Sequence, residues 1–181
     1  MDLPQKIDYI TMQVNQHFAT LTHSQLNWKP TPSQWSIAQC LNHIIVSNTT
    51  YFPIFGQLLQ GQYKLSLFQR LNPFKKSFGP MMVRTLGPAM PKKFIAPKIF
   101  EPSASDIHPG IVNDFIQHQE TLKNYFKQLS AMNGSTTVIA SPVSSMITYS
   151  LDDALQIITG HEQRHVNQAL HILNNPNFPQ S

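Results

Sequence analysis

Three histidines, His161, His165 and His171, stand in the stretch "GHEQRHVNQALHIL". Imidazoles at i and i+4 of a helix lie on one face and can share a metal ion. His161 and His165 have that spacing. The stretch also matches H-E-x-x-H, in which a zinc protease uses the glutamate as general base. The rest of that pattern is missing. The extended form needs a glycine three residues after the second histidine, where this chain has Gln168. "VNQAL" instead continues a helix. His171, six residues on, then points about 120° away from His165. No acidic residue follows His165, so no downstream carboxylate ligand exists in the sequence. Glu162 is therefore read as a fortuitous match.

The helix that carries the pair shows itself by its period. Leu151, Leu155, Ile158, His161, His165, Ala169 and Ile172 recur in steps of three and four, one face of a helix. Ser150 with Asp153 opens it, Asp152 and Asp153 suit its positive end, and Pro176 closes it. Both histidines fall in the apolar stripe and are expected to point into the protein. A third ligand must come from another helix. His43 in "CLNHIIVSN" sits two turns past Ser36, flanked one turn away by the small Cys40 and Ser47. Its alternative reading is a polar boundary residue. His118 competes, because Ile111, Phe115, His118, Leu122 and Tyr125 also form a stripe; ligand, nearby base and core histidine are its three readings. Cys40 could ligate softly or attack as a nucleophile, but a small buried residue is the simpler reading. His17, His23 and His108 have no supporting pattern.

The same periodicity predicts helices over about 3–22, from 37 toward Asn48, and over about 105–131. Ser36 and Gln39 form a capping box, and Pro53 kinks or ends the second helix. Residues 133–150 are expected to cross the protein in extended form, with "TTVIA" the best strand. No repeats occur. Four helices make this an all-α protein built as a four-helix bundle. A long Pro-rich insertion, 62–104, separates the second helix from the third. Its six prolines argue against a long helix, and Phe68, Phe74, Phe78, Phe94 and Phe100 argue against disorder. It is expected to be irregular, packed by its own aromatics, with at most a short helix.

Charge is concentrated there. Residues 62–104 hold eight Lys and Arg against Glu101 alone, a net +7, while the remainder is −3. The basic character belongs to one segment, so binding of nucleic acid by the whole protein does not follow from it. Placed after the helix of His43, the insertion is expected to be a lid that favours anions. A dimer-contact arm is the alternative, so a homodimer is among the expected assemblies.

At 181 residues and 41% hydrophobic, the chain has the size and composition of one domain, 1–181. No apolar run reaches the roughly 18 residues a bilayer span needs, so a membrane is not an expected partner. "MDLPQKIDYI" lacks the features of a secretory signal, and a single cysteine excludes an internal disulfide framework. A reduced, cytoplasmic setting is expected.

"WSIAQCLNHI", the insertion ending "APKIFEPS", and "SLDDALQIITGHEQRHVNQALHIL" together resemble the DinB-like superfamily, which includes the YfiT-type metal-dependent hydrolases. The resemblance spans nearly the whole chain. It implies a four-helix bundle and a divalent metal held by three histidines. One ligand lies on the second helix, matching His43; the H-x-x-x-H pair on the last helix matches His161 and His165. The long basic insertion departs from many members. What the resemblance implies for function is a hydrolase, or a transferase using a low-molecular-weight thiol, acting on a small-molecule substrate. Nickel, zinc, iron and manganese all suit three imidazoles. A non-catalytic, metal-containing helical binding module is the reading from another class.

Overall fold

Capping chemistry sets where the helices begin. The computed structural model describes residues 2–88 and 106–180, with backbone alone at Lys75 and Lys76. Asp2, Thr22, Ser36 and Ser66 each accept a hydrogen bond from the backbone N–H three residues on, and a glutamine there bonds back to the cap. Each pair satisfies two donors that a helix start leaves free. The helices are α1 (Leu3–Phe18), α2 (His23–Asn27), α3 (Ile37–Thr49), α4 (Phe52–Leu59), α5 (Leu67–Arg70), α6 (Lys75–Leu86), α7 (Ile111–Leu129) and α8 (Leu151–Leu173), of which α4, α6 and α7 start without a side-chain cap. Strands β1 (Val138–Ala140) and β2 (Thr148–Ser150) form an antiparallel hairpin before α8, with Ile139 opposite Tyr149. Among the described residues, no helix is long and apolar enough to cross a membrane.

The frame is an all-α four-helix bundle. α1 packs on α7 and α8, and α3 packs on the same two. The four expected segments are these four helices. Pro53 sits in the first turn of α4, where its missing N–H costs nothing, so the chain breaks after α3 and restarts. The core has two halves. Val14, Phe18, Leu41, Ile44, Phe115 and Val166 fill one. Ile7, Phe55, Leu122, Leu129, Tyr149 and Ile158 fill the other. Burying each such side chain contributes about 1.5–3 kcal/mol. Buried polar residues mark the boundary: α7 changes halves at His118 and Gln119, α8 at Glu162, and Asn48 stands where α3, in the first half, gives way to α4, in the second.

The described part of the insertion differs from expectation in two ways. α6 runs twelve residues with Pro80 inside it, longer than the prolines suggest. Tertiary packing sustains it, since α6 lies along α8 and β2. The contact is close: a Cβ on Gly79 would strike the Asp153 carboxylate, and one on Gly160 would lie 3.4 Å from the Gly87 Cα. Second, the described phenylalanines do little to pack the segment. Phe68 and Phe74 are 66% and 60% exposed, and only Phe78 is half-buried, against Phe74. Phe94 and Phe100 lie outside the described residues.

Candidate metal centre

Two caps place the three histidines. The Ser36 hydroxyl accepts from the Gln39 N–H at 3.1 Å, and the Gln39 side chain accepts from the Ser36 N–H at 3.1 Å. That buried box fixes the start of α3 and puts His43 two turns along. The Ser150 hydroxyl accepts from the Asp153 N–H at 3.0 Å and starts α8, with both aspartates in its positive first turn. α3 and α8 then pack together and their imidazoles meet. His43 Nε2 lies 3.3 Å from His161 Nε2, and His165 Nε2 lies 3.1 Å from the same atom. One ring nitrogen from each histidine falls within 4.8 Å of the others.

These atoms are arranged as a donor set. Metal–imidazole bonds of about 2.0–2.1 Å separate adjacent nitrogens by about 3.0 Å in octahedral and about 3.3 Å in tetrahedral geometry. The two short separations match that range. Gln168 Oε1 stands 3.1 Å from His165 Nδ1 and accepts its proton, which leaves Nε2 bare toward the cluster. Burial, then the nearby His165 and His43, hold His161 well below the usual imidazole range. Burial, then His43, lower His165 to about 3. Both rings are therefore neutral at pH 7, the form that ligates. The cluster can hold a divalent ion.

Trp35 covers one side. Its ring stacks on His165 at 5.5 Å and 22° and meets His43 at 4.8 Å. The sequence signal for this role is the place of Trp35, one residue before the cap of the His43 helix. The other side opens to a cleft of about 810 Å³. Its walls include Lys29 and Trp35 from the loop after α2, Met82 and Leu86 from α6, and His161, Arg164 and His165 from α8. Arg164 Nη1 also donates to the Thr85 carbonyl at 3.1 Å and ties α6 to α8 beside the histidines.

The remaining candidates lie elsewhere. Glu162 is fully buried and does not line the cleft. Its Oε1 accepts from Asn48 Nδ2 and Gln119 Nε2, both at 2.7 Å, and so links α8 to α3 and α7. Burial pushes its carboxyl up to about 7 against the pull of those two donors. The middle of the α8 core face is thus Ile158, Glu162 and Val166. His161 and His165 sit at its border facing α3, not on the axis of the bundle as their stripe suggests. His118 is buried against Phe52, 5.2 Å away, and is not part of the cluster. Cys40 is a core residue whose thiol burial raises far above its usual range, which fits neither ligand nor nucleophile. His171 is exposed at the far end of the cleft. His23 and His108 pair with Asp106 and Asp114 at the surface. None of the described basic residues of the insertion lines the cleft; among the described residues, Lys29 and Arg164 are the Lys and Arg that do.

One protein-family model, that of the DinB superfamily, matches residues 7–169. No curated protein and no solved structure matches the chain.

Proposed function

The chain belongs to the DinB superfamily, and on the convergence of its three imidazoles we propose that it is a metal-dependent enzyme. In this reading His43, His161 and His165 hold one divalent ion, of nickel, zinc, iron or manganese, and the reaction is thiol transfer to, or hydrolysis of, a small molecule. The observation that carries it is the 3.1 Å and 3.3 Å spacing of the Nε2 atoms of His43, His161 and His165, all of which line an open cleft. Such an ion supplies a lowered pKa to a bound water or thiol. The chain's own residues do the rest. Gln168 holds the His165 proton on Nδ1. Trp35 excludes water from one flank, and Arg164 sets a positive charge beside the reacting atoms. Glu162 does not line the cleft, so general-base catalysis by Glu162 is not part of this mechanism. The chain is read as one domain, 1–181, with 62–104 as an insertion whose α6 walls the cleft.

A closed structural site would need a fourth protein ligand. Among the described residues the cluster has three members, which favours catalysis over a binding module. The test is protein purified without a histidine tag, analysed for metal, and assayed against panels of thiol-transfer and hydrolysis substrates. One ion per chain, with turnover lost on chelation and restored by metal, is the expected result. Stoichiometric metal with no turnover on either panel would support the binding module instead.

Two substitutions serve as controls. His171→Ala is expected to leave metal content unchanged, because its ring lies outside the cluster. Glu162→Gln is expected to keep metal and most activity, since it faces the core. A collapse of kcat by several orders of magnitude in Glu162→Gln, with metal retained and the fold intact by circular dichroism, would restore the general-base role.

A further inference from the structure

The two halves of the cleft have different walls, and the histidine cluster sits where they meet. Along α8 the lining begins with Ile157 and Ile158, passes His161 and His165, and ends with Gln168, His171 and Asn175. From 157 to 171 this is about 21 Å of helix. α6 covers the first half. Gly79 abuts Asp153, Gly87 abuts Gly160 and Thr85 accepts from Arg164, so α6 follows α8 from residue 153 to 164. It presents Met82 and Leu86 to the cleft. The loop after α2 covers the second half. Trp28 meets Phe178 edge-on at 5.5 Å, and Trp35 stacks on His165, so this loop follows the chain from the end of α8 back to the cluster. It presents Lys29, Ser33 and Gln34.

The first half is therefore mainly apolar, with Ser47, Asn48 and Thr50 along its α3 side, and the second, which mixes polar groups with Pro30, Pro32 and Ile172, carries the Lys29 cation. Arg164 stands at the junction, and among the described residues no Asp or Glu lines either half. An apolar wall favours hydrocarbon through burial, and a cation in a partly enclosed groove favours an anion. We propose that the cleft takes an amphipathic organic anion in one direction. Its carboxylate or phosphate head lies toward Lys29 and its apolar body lies between α6 and Ile157 and Ile158. The bond to be changed then crosses the histidine cluster. This names the substrate class for the enzymatic reading above and rests on that reading for its chemical part, but not for binding.

Binding is therefore measured on metal-depleted protein, by calorimetry, with octanoate, octyl phosphate and octan-1-ol as probes. Either anion is expected to bind about tenfold tighter than the alcohol, the worth of one charge-assisted hydrogen bond. Lys29→Glu should remove most of that preference and leave the alcohol unchanged. Leu86→Asp should weaken all three. Lys29 is half-exposed, so the first variant is expected to fold as the parent does. Equal affinity for alcohol and anions, or an anion preference that survives Lys29→Glu, would overturn the proposal. Anion binding without turnover on any panel would leave this inference standing and defeat the enzymatic one. Turnover confined to neutral substrates, with no anion preference, would do the reverse. The ratio of octanoate to octyl phosphate affinity tells which head the site was built for.

Discussion

His161→Ala or His165→Ala is expected to strip the protein of metal, lowering affinity by well over a hundredfold. In the proposed site each of the two supplies one of three ligand atoms, and the i, i+4 pair is the part that a single helix preorganises. Loss of either leaves two imidazoles from different helices, a poor chelate. His43→Ala should lower affinity as well, since its Nε2 lies 3.3 Å from that of His161. Gln168→Ala is expected to cost about 10–100-fold, the usual effect of removing the group that orients a ligand. It leaves all three ligands in place, so this graded loss separates a metal site from a cluster of buried histidines. Metal content by mass spectrometry and melting temperature with and without chelator both read the result. At free metal a thousandfold above the dissociation constant, binding would stabilise the fold by about 4 kcal/mol. Full occupancy after losing His161 or His165 would sink the assignment. Loss of metal in His118→Ala, with His43→Ala intact, would move the third ligand to α7 against the geometry.

Local chemistry made much of this legible in advance. Ser36 with Gln39, and Ser150 with Asp153, mark the starts of the two helices that matter, because a cap is a contact between residues three apart. The spacing of His161 and His165 fixes that they are neighbours on one face for the same reason. "TTVIA" contains β1. What the sequence left open depends on packing. α8 touches α1, α3 and α6, so it is covered on several sides and one stripe cannot tell core from cleft. The turn of about 100° between adjacent residues is all that separates Glu162, facing Asn48 and Gln119, from His161, facing His43. α6 contains Pro80, an unfavourable local choice that its packing on α8 offsets; nothing within the segment signals that contact. The small neighbours Cys40 and Ser47 favour His43 over its competitor His118 in the sequence, and it is the pairing of α3 with α8 that brings one ring to the cluster and leaves the other against Phe52.

His118 itself is expected to make the metal-free protein sensitive to acid. It is 8% exposed, and its Nε2 has no hydrogen-bond partner among the described residues. Burial alone lowers it from 6.5 to about 4. The unfolded chain therefore takes up a proton at this residue as pH falls below 6.5, and the folded chain does not until about pH 4. Its share of stability is full above pH 6.5 and is lost as pH falls toward 4, by about 3 kcal/mol in total. His161 and His165 are lowered too and add to the slope in the same direction. Glu162 opposes it, because a carboxyl raised to about 7 favours the folded state less as pH rises from 4.5. The wild-type curve is thus a sum of opposing slopes, and the useful quantity is a difference between variants. His118→Leu removes the one histidine outside the cluster that burial lowers among the described residues, together with its unpaired nitrogen. Urea unfolding of both metal-free proteins from pH 7.5 to 4.5 should show the variant gaining about 2–3 kcal/mol on the parent as pH falls, most of it below pH 6.5. Parallel curves would mean that water reaches the ring and that the polar layer between the two halves of the core is hydrated.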